Sequence, residues 1–180
     1  MATVRSFEPV ALSDARALIL GSMPGIISLE QNQYYAHPRN LFWSIMGELF
    51  GAGPQLPYEE RLHILQANGV AVWDVLKECY RESALDSDIE EASIVTNDFA
   101  GFFARHRQIR RVYFNGTKAQ QAFRRYALPA LTGVEHIELT RLPSTSPANA
   151  SIPVGKKLED WFAIKRAFQP AKKPGDPGFY

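Results

Sequence analysis

The chain has 180 residues, 46% of them apolar, enough for one domain with a sizeable core. Its formal net charge of +1 argues against a generic polyanion binder, and its single cysteine, Cys79, excludes an internal disulfide and a four-cysteine iron–sulfur cluster. Four scattered histidines (His37, His63, His106, His136) lack ligand spacing, so no structural zinc site or other metal is expected, and the lack of a long apolar span predicts a cytoplasmic or nucleoid-associated protein without membrane association.

Ala17 to Leu20 is a short apolar run ended by Gly21 and Pro24 and reads as a buried strand. A loop rich in Gly, Pro and aromatic residues follows to about Arg39. From Leu41 to Phe50, Leu41, Ile45 and Leu49 recur at helical spacing, with Phe42 and Met46 beside them. Another helix is expected over Tyr58 to Ala67, and Gly69 opens a second strand, Val70 to Trp73. The acidic segment after it has weak periodicity and reads as loop. Thr96 or Asn97 is expected to cap a helix through Phe99, Phe102 and Phe103.

Val112 to Phe114 reads as a third strand stopped at Asn115-Gly116, and Thr117 as the cap of a helix running to about Tyr126. His136 to Leu142 reads as a fourth strand, broken at Pro143. A loop continues to Pro153, and a last helix carries Leu158, Trp161, Phe162, Ile164 and Phe168. A single domain over 1–169 is expected, with 170–180 as a loose tail.

Strands alternating with helices predict an α/β fold: three layers, α/β/α, around a central, mostly parallel four-stranded sheet. In such sheets ligands bind beyond the carboxyl ends of the strands. Chemistry is therefore expected in the loops that begin at Gly21, Asp74, Asn115 and Pro143. Charge is uneven. An acidic stretch from Glu78 to Asp98 precedes a basic run from Arg105 to Arg125. Two solvated faces, or a side turned away from phosphates and a side facing them, both fit.

Two segments stand out: Gly21-Ser22-Met23-Pro24-Gly25 with Tyr34-Tyr35-Ala36-His37-Pro38-Arg39-Asn40-Leu41-Phe42-Trp43, and Leu142-Pro143-Ser144-Thr145-Ser146-Pro147-Ala148-Asn149. They resemble the first and second motifs of the uracil-DNA glycosylase superfamily, closest to its hypoxanthine-DNA glycosylase branch and related to the mismatch-specific uracil/thymine enzymes. The resemblance spans roughly Leu18 to Trp161, and Val112 to Ala119 resembles the third-strand region of the hypoxanthine branch. It implies a monofunctional, cofactor-free base-excision repair enzyme, a monomer that acts on DNA containing a deaminated base. Met23 stands where uracil-cleaving members carry a catalytic amide or acid, and Leu142 where they carry a residue that bonds the leaving base. Neither side chain can do that work. Both departures resemble the hypoxanthine branch, in which the working amide corresponds to Asn40. The alternatives are a uracil/thymine mismatch glycosylase, a non-catalytic binder of damaged DNA, and a small-molecule nucleosidase.

The resemblance assigns Asn40 to catalysis and Gly21, Ser22, Met23, Pro24, Tyr35, Asp74 and Asn115 to the base pocket. Ser144, Thr145, Ser146 and Asn149 are expected to meet DNA. Each has a plainer alternative. Asn40 precedes a helix and suits an N-cap. Tyr35 suits a core tyrosine as well as a platform under the flipped base. Asp74 suits a turn, a reader of the base edge, or a rival general base. Asn115 suits a pocket edge or a strand-end turn, the Ser/Thr/Pro segment an ordinary turn, and Asn149 either the vacated duplex position or a turn. Neither motif holds a lysine, so Schiff-base chemistry is not expected.

Overall fold

A computed structural model describes residues 2–168. The expected tail, 170–180, lies outside the described residues. Four strands form one wholly parallel sheet: β2 (Ala17–Gly21), β3 (Val70–Asp74), β6 (Arg111–Asn115) and β7 (Glu138–Leu142), in the order β3-β2-β6-β7. The first connection from β2 places β3 on one side of it, and later chain places β6 on the other. The crevice at such a switch opens beyond the carboxyl end of the shared strand, here Gly21.

Alternation within the strands builds two cores. Leu18, Leu20, Trp73 and Phe114 face α4 (Phe99–Arg105) and α5 (Thr117–Ala122) through Phe99, Phe102 and Ala119. Ile19, Val72 and Tyr113 face α2 (Phe42–Phe50), α3 (Tyr58–Ala67) and α6 (Val154–Trp161) through Phe42, Met46, Leu65 and Trp161. Strands apolar on both faces demand a helical layer on each, which is the three-layer architecture the sequence implies.

A second, antiparallel sheet was not expected. β1 (Ala2–Arg5), β4 (Leu76–Arg81) and β5 (Val95–Thr96) pair in the order β1-β4-β5. The segment after β3 thus begins as strand, not loop. Leu76, Cys79 and Arg81 are buried while Lys77 is exposed, and the pairing edge comes from the far amino-terminal segment. A charged strand paired to a distant partner leaves little local signal.

Two caps also differ from expectation. Asp98 caps α4 by accepting from the Gly101 amide, while Asn97 donates from Nδ2 to the Asp74 carbonyl at 2.7 Å. Gly116 occupies the cap position of α5 at φ 93°, so Thr117 is already helical. The last strand begins at Glu138, two residues later than expected. Its amino end is set by Glu138 N–H donating to the Arg110 carbonyl.

Candidate active site

A cavity of about 710 Å³ opens beyond the carboxyl ends of the parallel strands. All twelve residues expected at the site line it. Gly21, Ser22, Met23 and Pro24 follow β2, Asp74 ends β3, Asn115 ends β6, and Ser144, Thr145, Ser146 and Asn149 follow β7. Tyr35 and Asn40 come from the loop between α1 (Ile26–Gln31) and α2.

The floor is built by close approach. Gly21 pairs in register with Asp74, and a Cβ at Gly21 would lie 2.5 Å from Asp74 Oδ1 and 2.9 Å from the Tyr35 hydroxyl. Only glycine lets both groups reach this point. After β3 the chain stays bonded to the motif, because Val75 N–H donates to the Gly21 carbonyl and Leu76 N–H to that of Ser22. Asp74 is 3% exposed, and its Oδ2 has no hydrogen-bond partner. Burial pushes its carboxyl up to about 7; the Asp86 charge adds to this and Arg81 opposes it.

Tyr35 takes a left-handed backbone, φ 56°, which is uncommon for a bulky residue. Its ring stacks on Phe42 with centroids 4.0 Å apart and planes 25° apart. Its hydroxyl is buried without a partner, and burial with the Asp74 charge pushes its ionisation far upward. Tyr34 is anchored differently: its hydroxyl donates to the Glu8 carbonyl at 2.8 Å, and its own carbonyl accepts from Trp43 Nε1.

Asn40 is half-buried at the cavity edge, and its Oδ1 accepts from Phe42 N–H at 2.9 Å. The capping bond is therefore real. It consumes one lone pair of the oxygen and fixes the amide plane, leaving a second lone pair.

The loop after β7 is tied on both flanks. Asn115 Nδ2 donates to Thr145 Oγ1 at 2.9 Å, and Thr145 N–H donates to Asn115 Oδ1 at 2.9 Å. Thr145 also accepts from Leu41 N–H and is 1% exposed. Its hydroxyl is thus spent on holding the loop to the end of β6. Ser144 and Ser146 are half-buried and bond the turn through Oγ. Asn149 turns the chain: Nδ2 donates to the Ser144 carbonyl, while Lys157 Nζ donates to the Asn149 carbonyl at 2.5 Å. Leu142 is 3% exposed in the core, and Met23, at 7%, is an apolar patch of the cavity wall.

Sequence reasoning missed the wall made by Ala84 to Ser87. Asp86 accepts from Ser22 Oγ at 2.7 Å, closing the acidic segment against the first motif. Loss of solvent around its carboxyl pushes Asp86 up, with Ser22, Arg81 and Lys118 opposing the rise. Arg81 is 3% exposed and grips the Pro24 carbonyl through Nη2. His37 and Ser28 also line the cavity; Ser28 Oγ accepts from Ala36 N–H.

The acidic stretch supplies a cavity wall. Arg110 and Arg111 sit at the amino end of β6, opposite the cavity, and Arg111 pairs with Glu138 at 2.5 Å. Among the described residues, no His/Cys/Asp/Glu cluster suits a metal, and no helix is long and apolar enough to cross a membrane.

Comparison with known proteins places these features in context. The sequence model of the Uracil DNA glycosylase superfamily matches residues 9–165. The hypoxanthine DNA glycosylase of Methanosarcina acetivorans is 37% identical over 163 residues, 90% of this chain and 98% of that protein. The hypoxanthine DNA glycosylase of Methanosarcina barkeri is 37% identical over 116 residues, 64% of this chain and 72% of that protein. A solution NMR structure of a uracil DNA glycosylase candidate from Methanosarcina acetivorans superposes with a TM-score of 0.76 at 32% identity, covering 93% of this chain and 100% of that one.

Proposed function

The chain belongs to the uracil DNA glycosylase superfamily, and on that premise we propose that it is a monofunctional DNA glycosylase that releases hypoxanthine from deoxyinosine. The observation that carries this reading is the convergence of all twelve expected residues on one cavity at the sheet's switch point.

Hydrolysis of an N-glycosidic bond builds positive charge on the sugar and negative charge on the base. The site must hold the base, place a water on the opposite face of the sugar, and stabilise separated charge. A base inside a duplex is out of reach, so it is flipped into the cavity. Phe42 covers one face of Tyr35, and the other face receives the flipped base. Asn40 holds the water through the second lone pair of Oδ1, with the amide already oriented by Phe42 N–H. An amide needs no shifted ionisation to do this. It also forgoes most of the roughly 10²–10⁴-fold gain of a general base, so the reaction leans on leaving-group and charge stabilisation.

Ser144 and Ser146 offer hydroxyl protons to the phosphates flanking the flipped nucleotide. Met23 leaves an apolar wall without the catalytic amide or acid that uracil-cleaving members carry there. The partner is DNA bearing a deaminated base, met by a protein monomer in the cytoplasm.

The test is direct. Duplexes carrying hypoxanthine, uracil, xanthine or a G·T mismatch are incubated with the protein and then treated with alkali. Strand cleavage strongest at hypoxanthine is expected. Tight binding of the damaged duplex without an abasic product would make the chain a binder; cleavage of free deoxyinosine alone would make it a nucleosidase.

A further inference from the structure

Two buried polar atoms on the cavity wall have no hydrogen-bond partner, Asp74 Oδ2 and the Tyr35 hydroxyl, and Gly21 brings the two side chains together. No cation lies within ion-pair distance of Asp74 among the described residues. Arg81 acts on Asp74 only at a distance: its Nη2 donates to the Pro24 carbonyl, and its buried Nη1 has no partner. An ionised carboxylate in this position is buried and unpaired, which is costly, whereas the neutral acid carries no such penalty. Among the described residues its proton has no hydrogen-bond acceptor and is left for a ligand.

The cavity lining contains no lysine and no arginine. Negative charge developing on the base therefore meets no fixed cation. The hydroxyl end of Tyr35 is the end that approaches Asp74 over Gly21. A base stacked on the Tyr35 ring consequently lays an edge beside the carboxyl.

From this geometry we propose that Asp74 is the general acid of the site, passing its carboxyl proton to N7 of the departing hypoxanthine. The inference rests on the glycosylase reading and gives it a leaving-group mechanism. As the C1′–N9 bond breaks, its electron pair goes to the purine, and the Asp74 proton bonds N7, so the base departs neutral. The water on Asn40 forms the C1′–O bond and loses one proton to solvent. Asp74 regains a proton from solvent, and the net change is one water consumed, one abasic site and one free base formed. Asp74 is accordingly neither a general base nor a charged reader of the base edge.

The surroundings support a neutral carboxyl near pH 7. Burial and the Asp86 charge push it up to about 7, against the pull of Arg81; Tyr34 and Tyr35 face it as uncharged phenols.

Single-turnover excision from a deoxyinosine duplex across pH 5.5–9 tests the role. The wild-type rate is expected to be highest below the bend and to fall about tenfold per pH unit above it. Asp74→Asn is expected to lose the bend and to run about 10²–10⁴-fold slower at pH 6. Asp86→Asn, which removes the neighbouring negative charge, is expected to move the bend to lower pH. An Asp74→Asn curve that keeps the wild-type bend overturns the acid role, as does a rate that rises with pH through the same range. A fixed bend in Asp86→Asn does so too, and it covers the case of an unfolded Asp74→Asn. Wild-type protein that makes no abasic product at any pH overturns the glycosylase reading itself.

Discussion

Asn115 and Thr145 exchange two hydrogen bonds, amide to hydroxyl and backbone N–H to amide oxygen, each 2.9 Å long. This pair fastens the loop after β7 to the end of β6, and Leu41 N–H on the Thr145 carbonyl extends the tie to α2. Three separate pieces of chain are registered through one buried threonine. Asn115→Leu is expected to strand the Thr145 N–H and to cost about 1–3 kcal/mol. Denaturant midpoints measure this loss, and single-turnover excision should fall with it because the loop no longer meets the substrate in register.

Asn40 carries a cap and a water, and two substitutions separate them. Asn40→Ser keeps an oxygen acceptor for Phe42 N–H and removes the amide. Its stability should match wild type, with activity reduced at least about 100-fold. Asn40→Ala should add a stability loss of about 1 kcal/mol. A serine variant with wild-type turnover would leave Asn40 as a cap alone.

Gly21→Ala puts a methyl group 2.5 Å from Asp74 Oδ1 and 2.9 Å from the Tyr35 hydroxyl. At least one of the two neighbours must shift from its place on the floor. Overpacking of this kind costs about 1–3 kcal/mol. Excision is expected to be lost well before the fold, which circular dichroism and an activity assay on the same sample will report.

Asp74 links function to a stability cost. Its carboxyl is raised to about 7 in the folded protein and lies near 3.8 when unfolded. The folded state holds the proton more tightly, so this site's contribution is full below about pH 4 and is lost as pH rises to about 7. Asp74→Asn removes that loss. It should be more stable than wild type at pH 8, by up to about 4 kcal/mol, with the advantage vanishing near pH 4. Thermal melts at the two pH values give the comparison.

Arg39 is exposed, between the cavity-lining His37 and Asn40. Arg107 and Arg110 lie at the opposite end of the sheet. Arg39→Ala should lower the salt slope of DNA binding by about one phosphate contact, and Arg107→Ala or Arg110→Ala should leave it unchanged. Fluorescence anisotropy at several salt concentrations distinguishes them.

β2, β3 and β6 were legible because each is a compact apolar run ended by glycine or a polar residue, whereas β7, with Glu138 and Arg141 in five residues, was marked by the break at Pro143. Those features depend on neighbours in sequence. β4 was not, since Leu76 to Arg81 mixes three charges into six residues and owes its pairing to Ala2–Arg5. The cap of α4 was off by one residue because Thr96, Asn97 and Asp98 all suit a cap, and Asn97 is spent on Asp74. At the site, motif residues announced themselves by their oddity, such as a Gly-Ser-Met-Pro-Gly run after a strand. Asp86 and Arg81 did not, because an acidic residue in an acidic stretch and an arginine in a charged strand look like solvated surface. Their burial and partners are set by tertiary contact alone.

The helix that clamps the second motif has a consequence in time. Trp161 donates to the Pro143 carbonyl and Lys157 to that of Asn149, so α6 holds the two ends of the loop. Every strand of the parallel sheet precedes α6 in the chain. A growing polypeptide can lay down its sheet and both motifs while those two carbonyls still wait for donors. The pocket is therefore completed by the last α-helix to leave the ribosome among the described residues, and a chain stalled before residue 157 carries every proposed catalytic group without the frame that makes them an enzyme.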